Sequence, residues 1–209
     1  IALSLLRDTF GIREGGETAL RLFRDIEPDT IALVLDALAK NLNVVPTSSC
    51  GRLFDAASAL AGVCHHASYE GQAPMLLEGV IRKSGHPGRY DFHVRDDGSG
   101  LLRVDWKDAV AEIVSDAHAG IPAAVIAQRF HRGVAEMILE MAGRLGDEVG
   151  TRRVLLSGGV FQNAYLLNAL LAGFRGKKWK VLIHREVPTN DGGISLGQAY
   201  YAANLTGGG

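Results

Sequence analysis

The chain predicts an α/β fold: a helix-rich first half carrying one β-hairpin, followed by alternating strands and helices. Three observations carry this reading. In the last third, strand-like runs over 153–157 and 179–184 alternate with helix-like runs over 162–172 and 192–204. That order calls for parallel strands joined by a crossover helix. Upstream, Tyr90, Phe92 and Val94 alternate with Asp91, His93 and Arg95, and Leu102, Val104 and Trp106 with Arg103 and Asp105. Asp96-Asp97-Gly98-Ser99-Gly100 lies between these runs, which predicts a hairpin. The rest of the first 145 residues repeats its apolar positions at helical spacing.

Taken in order, residues 1–45 read as helical. Leu20, Phe23 and Ile26 begin one apolar stripe. Asp29 or Thr30 is placed to cap the next helix, with Ile31, Leu33, Val34, Leu35, Leu38 and Leu42 as its expected buried positions. Residues 43–49 break the pattern at Pro46. An alanine-rich helix over 52–60 and a short helix over 72–81 follow. After the hairpin a helix runs over 105–118 and ends at Gly120. Pro122 then occupies a first helical turn, where its missing N–H costs nothing. Ile126, Phe130, Val134, Met137, Ile138, Met141 and Leu145 mark the buried stripe of a long amphipathic helix. The expected division is a helix-rich subdomain over 1–104, with the hairpin at 89–104, and an α/β core over 105–209.

Composition narrows the function. Lys plus Arg number 22 against 23 Asp plus Glu, a formal net charge of −1. Without a basic excess, nucleic-acid binding as the main activity is disfavoured. No apolar run approaches the roughly 18 residues that cross a bilayer. No signal-peptide pattern is visible, and a cytoplasmic location is the expectation. The first residues, Ile1-Ala2-Leu3-Ser4-Leu5-Leu6, read as the middle of a helix, so missing N-terminal neighbours are expected. Cys50 and Cys64 form no CxxC pair and read as reduced thiols. None of the seven histidines stands four residues from another, so no helical zinc-type pair is present. His131, between Phe130 and Arg132, reads as a satisfied, partly buried residue.

Chemistry is concentrated in three segments. In Ser157-Gly158-Gly159-Val160-Phe161-Gln162-Asn163 a Val/Leu strand stops at paired glycines and a helix begins. The pattern suits either a tight strand–helix turn or a corner that offers backbone N–H groups to a phosphate. It is neither a P-loop nor a GxGxxG fingerprint. In Asn190-Asp191-Gly192-Gly193 either Asn190 or Asp191 caps the last helix, or the Asp191 carboxylate reaches a metal cation. In Gly51-Arg52-Leu53-Phe54-Asp55, Asp55 is placed to accept ribose hydroxyls and Arg52 to meet a phosphate. Alternatively the two pair with each other at i, i+3. Ligands of open α/β sheets bind outside the carboxyl ends of the strands, where the first two segments fall. Cys50 lies beside the third segment but has no base evidently paired with it.

These segments, together with Thr47-Ser48-Ser49-Cys50, Ser68-Tyr69-Glu70-Gly71-Gln72-Ala73 and Arg129-Phe130-His131, resemble the C-terminal part of the HypF carbamoyltransferases, which are hydrogenase maturation factors. The resemblance runs in order along essentially the whole chain. It implies an actin/sugar-kinase-like (ASKHA) half-domain with a helical insertion and one β-hairpin, of the kind also found in antibiotic O-carbamoyltransferases and tRNA threonylcarbamoyl transferases. It implies further that upstream domains of the same polypeptide turn carbamoyl phosphate and ATP into carbamoyl adenylate. The last domain would then pass the carbamoyl group to the C-terminal cysteine of a HypE-like acceptor protein. By the same resemblance Asp191 is a ligand of a divalent metal, Zn or Fe. Gly158, Gly159 and Asn163 line the nucleotide-facing turn. Gly51, Arg52 and Asp55 lie beside the ribose, and Glu70 is an acidic position near that loop. The family's paired metal-binding histidines lie upstream of Ile1, so a metal site within this chain is partial. No residue of the chain is required as a covalent nucleophile. A stand-alone relative acting on a small-molecule hydroxyl or on tRNA, and a non-catalytic docking module, are the alternative readings.

Overall fold

The structure is a computed structural model, and it describes residues 1–82 and 88–205. His86 and the terminal Gly207-Gly208-Gly209 lie outside the described residues. The chain forms two compact units, Ile1–Met141 and Ala142–Gly209. The division falls beyond the one expected at 104/105. The reason is that the first turns of the long helix carry Ile126, Phe130 and Val134 into the core of the first unit, where each is at most 2% exposed.

The first unit holds helices α1 (Ala2–Leu22), α2 (Pro28–Ala39), α3 (Cys50–Leu60) and α4 (Gln72–Gly79), the strands β1 (His93–Asp96) and β2 (Leu102–Asp105), α5 (Lys107–His118), and most of α6 (Ala123–Glu148). The expected hairpin is present: β1 and β2 are antiparallel with Val94 opposite Val104. Its inward residues Tyr90, Phe92 and Val94 are buried as the alternation requires. The approach to α6 is close. A Cβ on Gly133 would stand 2.3 Å from the Tyr90 carbonyl oxygen and 3.0 Å from the Phe92 ring, so only glycine lets the strand lie against the helix there. Phe54 from α3 meets the Phe130 ring edge-on at 4.9 Å, and Phe92 meets it edge-on at 6.0 Å. A polar clasp closes the same layer. The Tyr90 hydroxyl donates to Asp116 (2.6 Å) and Arg129 donates to the same carboxylate (2.5 Å).

Two expectations fail in this unit. Helix α1 is broken at Gly11, which adopts φ 83°. Helix α2 buries only Ile31, and Leu33 and Leu42 are 69% and 56% exposed. An apolar face is buried only where another element covers it, and α2 packs chiefly on α1. Its first turn begins with Pro28 after Glu27, so Asp29 sits inside the helix rather than capping it, and no side-chain cap bond forms.

The second unit contains β3 (Arg153–Leu156), α7 (Ala164–Gly176), β4 (Lys180–Ile183) and α8 (Ile194–Leu205). Strands β3 and β4 are parallel, with Leu156 beside Ile183, as the strand–helix–strand order predicts. Leu166, Leu170 and Phe174 of α7 are fully buried. Where the chain turns back after α7, Trp179 packs on Phe174 and Gly146. The opposite pair, Leu155 beside Leu182, is open, at 62% and 46% exposure. Helix α8 buries none of its residues.

Candidate functional site

Parallel pairing brings the carboxyl ends of β3 and β4 side by side, so the residues that follow Leu156 and Ile183 are neighbours. Those residues are Ser157 and His184. The Ser157 Oγ and His184 Nε2 are 2.9 Å apart, and both residues are exposed. Gly158 then turns the chain with φ 103°, a conformation only glycine adopts without strain. Its N–H donates to the Thr189 carbonyl at 2.9 Å, and the Thr189 hydroxyl donates back to the Gly158 carbonyl at 3.1 Å. The two corners expected from the sequence are thus laced together directly.

This lacing changes the part open to Gly158. Its N–H is committed to Thr189, so what Gly158 supplies to a ligand is room rather than that donor. A Cβ on Gly158 or on Gly159 would meet nothing within 4 Å. After a single 3₁₀ turn, Gly159–Gln162, the Asn163 side chain accepts from the Leu166 N–H at 2.8 Å and caps α7. Asn163 therefore fixes where α7 begins, at the lip of the corner. In the second corner the cap is Asn190, whose Oδ1 accepts from the Gly192 N–H (3.1 Å). Asp191 is exposed and begins a 3₁₀ turn, Asp191–Gly193, that leads into α8. A Cβ on Gly193 would lie 2.8 Å from the Pro188 carbonyl, so the second glycine of the pair is required by packing.

The first unit carries the remaining candidates. Ser49 caps α3 by accepting from the Arg52 N–H at 3.4 Å, which sets Gly51 and Arg52 in its first turn. The Arg52 guanidinium pairs with Asp55 at 3.0 Å, with side chains 54% and 28% exposed. Of the two arrangements open from the sequence, the intrahelical ion pair is the one this structure holds. Glu70 stands in an exposed turn before α4, where the Ser68 N–H and hydroxyl both bond Gln72 Oε1. Cys50 is no thiolate at neutral pH, since burial pushes its thiol up to about 11. His131 is wholly buried, more than the sequence suggested. It is hydrogen-bonded to the Ala127 carbonyl at 2.7 Å and edge-on to Phe54. Burial lowers its pKa to about 4, so the ring is neutral and structural.

A divalent metal does not fit the described residues by themselves. Among them, no group of three or more His, Cys, Asp and Glu side chains stands close enough to hold an ion, and Asp191 offers one carboxylate. Sequence reasoning missed His184, because no motif spacing links it to Ser157. The usable signal was positional: each is the first residue after one of two strands predicted to be parallel.

Comparison with known proteins places the chain. Residues 1–198 match the family model described as "Carbamoyltransferase, Kae1-like Domain, second subdomain". Carbamoyltransferase HypF of Synechocystis is 34% identical over 73% of this chain and 19% of its own length. That of Rhizobium leguminosarum is 38% identical over 76% and 20%. A crystal structure of full-length HypF in a phosphate- and nucleotide-bound form superposes with a TM-score of 0.84 at 30% identity. It covers 98% of this chain and 26% of that one. The T. kodakarensis HypF structure gives 0.79 at 26% identity, over 99% and 27%. The chain spans about a fifth of the length of these two curated relatives. It belongs to the HypF carbamoyltransferase family, and corresponds to the second subdomain of the Kae1-like domain.

Proposed function

We propose that this chain is the carbamoyl-transfer subdomain of a longer cytoplasmic polypeptide, an ASKHA half-domain that binds carbamoyl adenylate. On this reading it passes the carbamoyl group to the C-terminal cysteine thiol of a HypE-like acceptor, for the cyanide ligands of a [NiFe] hydrogenase. The observation that carries this reading is the pair of glycine corners laced by Gly158 and Thr189 at the carboxyl ends of two parallel strands, with open space over Gly158 and Gly159. Family membership supports it, as does the nucleotide bound in a solved relative.

In this reading Gly158 and Gly159 leave room for the nucleotide, while Asn163, by capping α7, holds the turn at its edge. Within the first unit, Gly51, Arg52 and Asp55 on α3 keep the roles toward ribose and phosphate that the family resemblance implies, as does the acidic Glu70. The Arg52–Asp55 pair is exposed enough to exchange partners at little cost. Asp191 would contribute one carboxylate to a Zn or Fe site whose other ligands come from outside this chain. Catalysis is then mostly placement and charge: the adenylate phosphate is held as it leaves and the thiol is aimed at the carbamoyl carbon.

Gly159→Val in the full-length polypeptide tests the reading. Gly159 has no left-handed backbone and no neighbour within 4 Å of a Cβ, so the variant folds while its side chain fills the ligand space. Calorimetry with ATP or a non-hydrolysable carbamoyl-adenylate analogue is expected to show a loss of at least roughly tenfold in affinity, or about 1.4 kcal/mol. Unchanged affinity in a folded variant, or no binding by the wild type at millimolar ligand, overturns the proposal.

A further inference from the structure

We infer that Ser157 and His184 form a proton-accepting dyad that deprotonates the nucleophile receiving the carbamoyl group. This rests on the proposed function and adds to it a base that the sequence motifs do not contain. The two side chains come from different strands and meet at 2.9 Å because β3 and β4 are parallel and in register at Leu156 and Ile183. They stand at the strand ends beside the open glycine corner, and both are accessible to an incoming partner. A hydroxyl within hydrogen-bond reach of an imidazole is the arrangement by which proteins move a proton off a weak acid. Besides His184, the ionisable side chains on the two corner loops are Arg185, Glu186 and Asp191.

The acceptor thiol gives its proton to Ser157 Oγ as the Ser157 hydroxyl proton passes to His184 Nε2, the ring starting as the Nδ1–H tautomer. The sulfur electron pair forms the S–C bond to the carbamoyl carbon. The C–O bond to the adenylate phosphate breaks, and its electron pair leaves with AMP. The imidazolium then returns its proton to water. Ser157 touches the reacting thiol, whereas His184 acts through it as a positioning residue and proton sink. A cysteine thiol, with a pKa of about 8.5, is only a few per cent ionised at pH 7, which is what makes a base useful.

The test uses the full-length polypeptide supplied with carbamoyl phosphate, ATP and an acceptor protein ending in cysteine. Single-turnover carbamoylation of the acceptor is read by mass, and nucleotide affinity by calorimetry. His184→Gln and Ser157→Ala are each expected to slow transfer at pH 7 roughly 100-fold. The deficit should shrink as the pH rises through the thiol pKa, and nucleotide affinity should stay within twofold. Transfer within threefold of wild type at pH 7 overturns the dyad. So does a deficit that is independent of pH and tracks lost nucleotide affinity, which would make the pair a phosphate anchor. A carbamoyl group found on Ser157 in the absence of acceptor overturns it in favour of a covalent route. Failure of the wild type itself to carbamoylate the acceptor would instead refute the proposed function.

Discussion

Acid titration of a variant lacking His131 probes how the first unit is held together. His131 is fully buried against Phe54 and Phe130, and its ring hydrogen-bonds the Ala127 carbonyl. Burial holds its pKa down from 6.5 to about 4, so the folded state keeps a neutral ring where the unfolded chain would take up a proton. Because the folded pKa is depressed, the contribution is fully present above pH 6.5. It is lost as the pH falls toward 4, since over that window the unfolded state binds more protons. Converted at about 1.4 kcal/mol per pH unit, the gap amounts to about 3 kcal/mol. That is a large share of the few to fifteen kcal/mol typical of a folded domain. His131→Leu keeps apolar bulk at the site but cannot titrate. Urea unfolding followed by circular dichroism at half-unit steps from pH 7 to 4 should show the wild type losing stability more steeply than the variant. The difference should approach about 1.4 kcal/mol per pH unit near the middle of the window. The other six histidines are common to both proteins, so their contributions cancel in the comparison. Parallel curves for the two proteins would refute the assignment of His131 as a neutral core ring.

Two further substitutions test the packing of the same unit. Gly133→Ala puts a Cβ 2.3 Å from the Tyr90 carbonyl and is expected to destabilise by at least about 2 kcal/mol, read as a lowered urea midpoint; an unchanged midpoint would mean the hairpin is not seated on α6 there. Ser58→Ala removes a fully buried hydroxyl that has no hydrogen-bond partner among the described residues, so it is expected to stabilise by roughly 1 kcal/mol, and a loss of stability in the same assay would count against that hydroxyl being unsatisfied.

Much of the chain was legible in its residues because those elements are governed by local periodicity. The hairpin follows from the alternation of Tyr90, Phe92 and Val94 around a turn rich in Asp and Gly. The parallel order of β3 and β4 follows from the helix between them. The glycine corners were visible as well, since Gly158 needs a positive φ and Gly193 leaves no space for a Cβ. The α2 face departs from its periodicity for a definite reason. Hydrophobic spacing says which positions can be buried, not which ones a neighbour covers, and α1 covers only the stripe around Ile31. Gly11 illustrates a related limit: a glycine within a helical pattern is tolerated or breaks it, according to contacts made elsewhere.

The amino-acid sequence by itself determined the element order, the positions of the two glycine turns and the family, since each depends on residue types at short spacing. Only the tertiary structure decided that Ser157 meets His184 and that the Gly158 N–H is committed to Thr189, while Asn190 rather than Asp191 caps the last turn. Those outcomes depend on strand register and on competition among hydrogen-bond partners far apart in the chain, and no local pattern of residues encodes them.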